Sequence, residues 1–165
     1  MARVLHIIAS PRGERSQSRR LGRELVAAWL EAHPGDTVTE RDVGRNPPPH
    51  VTEAWVAGAF SPPDARTDEM RAALRPSDEL VDELLAHEVV VASTPMYNFN
   101  VPSGLKAYID QIIRPGRTFG YDPSKTPPYL PLVHGKRLIL VTARGGAGYG
   151  PGEPLEAMNF ETPYM

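Results

Sequence analysis

The chain has 165 residues, enough for one domain with a sizeable core and too few for two comfortable ones. Its 18 Lys and Arg against 20 Asp and Glu leave a net charge of −2, so no field of one sign draws it to nucleic acid or to anionic lipid. Cysteine is absent, which excludes disulfides, thiolate zinc sites and cysteine nucleophiles and fits a cytoplasmic setting.

Residues 4–9, VLHIIA, form a short and nearly continuous apolar run, the pattern of a parallel strand covered on both faces. The run leads straight into Ser10-Pro11, with no small-residue cleavage site and no span of membrane length, so it reads as a first strand and not as a leader. Leu21, Leu25, Ala28 and Trp29 then share one face of a helix over about 18–32, stopped by Pro34-Gly35. Residues 37–41, TVTER, alternate and suit a strand at a sheet edge. Residues 51–75 read as a helical excursion broken at Ser61-Pro62-Pro63, and Ser77-Asp78-Glu79 as the cap of a separate helix carrying Leu80, Val81, Leu84 and Leu85. Its acidic residues read as a solvated face matched to the helix dipole.

Residues 89–92, VVVA, are a second strongly buried strand, and a helix follows from about Pro102 with Leu105, Tyr108, Ile109 and Ile112 at helical spacing. After a long proline-rich loop, residues 137–142, RLILVT, make another strand. Strands alternating with helices predict a doubly wound parallel sheet. None of the five histidines pairs with another at i+3 or i+4, so no metal site is expected.

In such sheets ligands bind beyond the carboxyl ends of the strands, which singles out three loops. The first, residues 10–18, offers hydroxyls and free N–H groups at a helix N-terminus, where they can cradle a phosphate. On this loop alone the alternative stands equal: Ser16 or Ser18 merely caps the helix. The second loop, residues 95–100, gathers Met96, Tyr97, Asn98 and Phe99 where solvent would select small polar side chains; a flat ring would cover such a cluster, and so would a neighbouring loop. The third, residues 144–150, is glycine-rich and lets main-chain donors approach a ligand, or is simply a flexible connection.

Together, Ser10 with Ser16-Gln17-Ser18, the PMYNFN segment and Arg144-Gly145-Gly146 resemble the FMN-dependent NADH:quinone oxidoreductase and azoreductase family. The resemblance runs from Val4 to about Gly146 and includes Asn46-Pro47, Ser77-Asp78-Glu79-Leu80 and the Leu105-Lys106 helix. It implies a flavodoxin-like fold in which Ser10, Ser16, Gln17 and Ser18 hold the FMN phosphate, while Met96, Tyr97, Asn98 and Phe99 line the ring. Ala143, Arg144, Gly145 and Gly146 would close the site, with Ala143 standing where the family usually has serine. Phe119 and Tyr121 match a family segment that reaches over the neighbouring subunit's flavin; otherwise they are apolar anchors of a proline-rich loop. The implied activity passes two electrons from NADH or NADPH to a quinone or azo acceptor by a ping-pong route, in a homodimer. The rival is a flavodoxin-fold electron carrier or a flavin-less scaffold.

A flavodoxin-like sheet in the order 2-1-3-4-5 calls for a fifth strand and a closing helix, and residues 151–165 offer only a short helix over about 155–160. The expectation is one FMN-binding domain over 1–165, short at its C-terminal side, whose unpaired strand edge leads either to self-association that covers it or to a loosely folded protein with weak flavin binding and little reductase activity.

Overall fold

The computed structural model describes residues 1–165. Strands β1 (Arg3–Ile8), β2 (Thr37–Asp42), β3 (Val89–Pro95) and β6 (Arg137–Ala143) form a parallel sheet in the order β2-β1-β3-β6. Helices α1 (Gln17–Ala32), α2 (Glu53–Phe60), α3 (Asp68–Leu85) and α4 (Ser103–Ile112) lie between them in the chain. Strands β4 (Phe119–Tyr121) and β5 (Tyr129–Pro131) pair antiparallel in a small separate sheet, and α5 (Glu161–Tyr164) is a single turn near the C-terminus.

Alternation along β1 explains why both faces of the sheet are covered. Leu5, Ile7 and Ala9 join Val43, Leu80, Val90, Leu105 and Tyr108 in one buried cluster on the side of α3 and α4. Val4 points the other way, joining Val26, Val89 and Val91, with Leu25 and Trp29 of α1 packed against them. A strand apolar on both faces can only sit inside a sheet, and β1 and β3 take the two central places.

One sequence expectation fails. Ser77 does not start a helix; α3 runs unbroken from Asp68 to Leu85 with Pro76 inside it, and its cap is Thr67, whose side chain accepts from the Met70 N–H at 3.2 Å. The Ser77 hydroxyl instead donates across the interface to the Gln111 carbonyl of α4 and accepts from Arg114 Nη1 at 2.7 Å. The acidic run is likewise engaged: Asp78 pairs with Arg114 and Arg117, Asp82 with Arg117, and Glu83 with Arg41. Tertiary contacts thus offset the loss of the rung that proline removes and hold the helix through it. The short helix expected at 155–160 is also displaced: a 3-10 turn covers Glu156–Met158 and the helical turn falls at Glu161–Tyr164.

Beyond β3 the sheet has β6 and no fifth strand. Leu138 on β6 is 53% exposed. No helix is long and apolar enough to cross a membrane.

Candidate functional site

The first loop leaves β1 at Ser10 and enters α1 through Ser16, whose hydroxyl accepts from the Arg19 N–H at 3.2 Å. Ser16 is therefore a helix cap. Its hydroxyl also lies 3.2 Å from the Ser18 hydroxyl, and Ser10, Ser16 and Ser18 are all buried. The N–H groups of Gln17 and Ser18 meet no acceptor within the chain. The Gln17 side chain is exposed and turned to Arg20, so what Gln17 offers the loop is its main chain. Three hydroxyls and two free N–H groups at the positive end of a 16-residue helix make a cradle for one dianionic phosphate.

Two neighbours fix that cradle. The buried Arg19 side chain donates to the Ser10 carbonyl at 3.0 Å and to Asp42 at 2.6 Å, clamping the ends of β1 and β2 together. Gly44, just after β2, sits so close that a Cβ there would come within 2.4 Å of the Ser10 carbonyl carbon. Neither residue stands out in the sequence, where Arg19 reads as one more exposed helix position.

In the second loop the Tyr97 N–H donates to the Asn100 carbonyl at 2.8 Å and the Asn100 N–H returns a bond of 3.0 Å to the Tyr97 carbonyl. Asn98 and Phe99 are the central residues of this tight turn, with φ of 48° and 67°. Asparagine tolerates that conformation; phenylalanine does so at a cost of about 1–3 kcal/mol. The cost is borne to present Phe99 at the surface, 38% exposed. Met96 is tied to the third loop, its N–H donating to the Ala143 carbonyl at 3.1 Å.

After Ala143 the third loop opens at Gly145, where an added Cβ would meet nothing within 4 Å. The chain itself does not demand glycine there. Arg144 turns away to Glu161 and Thr162 of the C-terminal turn, at 3.1 and 2.8 Å. Burial pushes the Glu161 carboxyl above its ordinary range, and the Arg144 guanidinium draws it back down.

Ser10, Ser16, Gln17, Ser18, Met96, Tyr97, Asn98, Phe99, Ala143, Arg144, Gly145 and Gly146 thus all lie at or just beyond the carboxyl ends of β1, β3 and β6, Ala143 as the last residue of β6 and Gln17 and Ser18 in the first turn of α1. Phe119 and Tyr121 stand apart in the β4–β5 hairpin, where their rings lie 6.0 and 5.6 Å from that of Tyr129. No hydrogen bond or ring contact links either of them to the three loops. No group of three or more His, Asp or Glu side chains gathers as a metal would require.

A family model describing a flavodoxin-like fold matches residues 2–165. FMN-dependent NADH:quinone oxidoreductase 2 of Trichormus variabilis is 52% identical over 100% of this chain and 78% of its own length. FMN-dependent NAD(P)H:quinone oxidoreductase 1 of Pseudomonas aeruginosa is 54% identical over 100% of this chain and 79% of its own. The chain belongs to the FMN-dependent NADH:quinone oxidoreductase and azoreductase family. Among solved structures, an azoreductase of Bacillus anthracis superposes with a TM-score of 0.88 at 30% identity, covering 99% of this chain and 78% of that one. The flavodoxin-like fold expected from the three loops is the fold found.

What the sequence did not reveal in this family member is the strap behind the loops. The Phe160 N–H donates to the Phe99 carbonyl at 3.0 Å and Asn159 Nδ2 to the Tyr149 carbonyl at 3.0 Å, beside the Arg144–Glu161 pair. The glutamate 17 positions beyond Arg144 is too distant in sequence to be paired with it by any helical spacing.

Proposed function

We propose that this chain is an FMN-dependent oxidoreductase that passes two electrons from NADH or NADPH to a quinone or azo acceptor, within one FMN-binding domain. The observation that carries the reading is the phosphate cradle: two N–H groups without acceptors and three buried serine hydroxyls at the start of α1. Bound there, FMN supplies the hydride-accepting and hydride-donating ring. In this reading Ser10, Ser16 and Ser18 hold its phosphate with the Gln17 and Ser18 N–H groups. Met96, Tyr97, Asn98 and Phe99 give the ring a wall and leave its other side open to the nicotinamide and then to the acceptor. The Gly145 and Gly146 N–H groups, with open space beside Gly145, would be the donors that stabilise negative charge on the bound ring. In this reading water delivers the proton to the product.

A homodimer and a cytoplasmic location belong to the same reading. β6 lies at the sheet edge with Leu138 53% exposed, which suits pairing with a second copy, and a chain without cysteine suits a reducing compartment. Mass spectrometry of the released cofactor, with NADH oxidation in the presence of menadione, tests the proposal. FMN and turnover are expected; FAD alone overturns the cofactor, and bound FMN without turnover turns the reading into that of an electron carrier.

A further inference from the structure

The C-terminal turn closes the candidate site from behind. Glu161 is 0% exposed, and among the ion pairs of the chain its carboxylate has one partner, Arg144, at 3.1 Å. Its second oxygen, Oε1, is buried without a hydrogen bond. Arg144 is held at two further points: Nη2 donates to Thr162, and the guanidinium carbon lies 5.8 Å from the centre of the Tyr149 ring. The next two residues along the chain are Gly145 and Gly146.

A carboxylate taken wholly out of water is stabilising only if it cancels a charge nearby, and a guanidinium left alone beside the glycine loop would be a full positive charge at the site. We propose that Glu161 is a positioning residue of the flavin site, which fixes Arg144 away from the ring and cancels its charge. The ring edge is then met by neutral main-chain donors. The proposal rests on the FMN reading above.

Glu161→Gln tests it, because the amide oxygen still accepts from Arg144 Nε while the negative charge is gone. An unbalanced guanidinium favours the more negative, reduced flavin. A unit charge about 10 Å away, at an effective dielectric of about 20, corresponds to about a tenfold gain in affinity for reduced over oxidised flavin. For a two-electron couple that is a positive shift of about 30 mV in the midpoint potential of bound FMN. The double variant Glu161→Gln/Arg144→Gln should return the potential to the wild-type value. Glu161→Asp keeps the charge but shortens the reach, so FMN should bind several-fold more weakly at an unchanged potential.

A Glu161→Gln protein that binds FMN more weakly at the wild-type potential would show a purely structural role and overturn the proposal. Should Glu161→Gln fail to fold in a thermal melt, Arg144→Gln decides: at a pH high enough to keep Glu161 ionised, the uncancelled carboxylate should lower the potential of bound FMN, and a wild-type potential overturns the proposal. A wild-type chain that takes no FMN overturns this proposal and the functional reading together. Equal potentials in a flavin-loaded pair overturn only this one.

Discussion

Ser16 serves two purposes, and single substitutions separate them. Its hydroxyl caps α1 through the Arg19 N–H, whereas the Ser18 hydroxyl touches only that of Ser16. Ser16→Ala should therefore cost the apo chain about 1 kcal/mol of stability and weaken FMN as well. Ser18→Ala should leave the melt close to unchanged while FMN affinity falls by about 1.5–3 kcal/mol, roughly ten- to a hundredfold, the size of one charge-assisted hydrogen bond. Thermal melting of the apo chain beside titration of FMN fluorescence reads both. If FMN affinity stays the same in both variants, the serines belong to the helix alone. Phe99 offers a second separation, since its φ of 67° is a strained conformation for a bulky side chain such as phenylalanine. Phe99→Gly should stabilise the apo chain by about 1 kcal/mol once the lost contact with the Tyr149 ring is subtracted, and so raise its melting midpoint, yet slow reduction by NADH. A lower midpoint would mean that the ring is held for packing and not for the site.

At the scale of elements, the break expected at Pro76-Ser77 and its absence lead to a measurable difference. A capping serine is worth about 1 kcal/mol. Ser77, seated between the Gln111 carbonyl and the buried Arg114, should cost about 2–4 kcal/mol when changed to alanine, because a guanidinium that is 1% exposed loses an acceptor. Urea unfolding of Ser77→Ala distinguishes the two, a loss near 1 kcal/mol arguing for the cap. The same helix shows what a sequence can and cannot disclose. β1 and β3 were legible because both faces are apolar, and the three loops because serines, aromatics and glycines cluster where strands end. The continuity of α3 was not, since Pro-Ser-Asp-Glu is a local stop-and-start signal that only contacts with α4 and Arg114 outweigh. The β4–β5 hairpin was hidden for a related reason: its strands are three residues each, set among prolines, and the cross-strand ring contacts of Phe119 and Tyr121 with Tyr129 carry no periodicity. The strap at Glu161 depends on a partner 17 residues away, so its burial has no local sign.

Over the whole molecule the two edges of the main sheet differ in kind. β2 ends the sheet with a polar strand whose Arg41 and Glu40 are engaged by Glu83 and Arg23. β6 ends it with Leu138 exposed, beside a groove of about 400 Å³ lined by apolar side chains that include Ile7, Val90, Leu105, Ile109 and Ile112. Unpaired strand amides next to an apolar face are the usual ground for pairing with a second strand. A net charge of −2 supplies little repulsion to prevent it. The 165-residue chain should therefore self-associate at micromolar concentration, with β6 against β6. Light scattering should give a mass above that of one chain, and Leu138→Lys, which sets a charge on the edge, should bring it down to one. Hydrogen exchange adds the location, because the outward β6 amides should be protected in the wild-type chain and exposed in Leu138→Lys. Tyr121→Ala should leave that association intact, since β4 lies in a different sheet. If Tyr121→Ala instead breaks the assembly while Leu138→Lys does not, the copies meet through the hairpin, and the β6 edge has to be stable on its own. A wild-type chain that scatters as a monomer with slowly exchanging β6 amides would refute association through either surface.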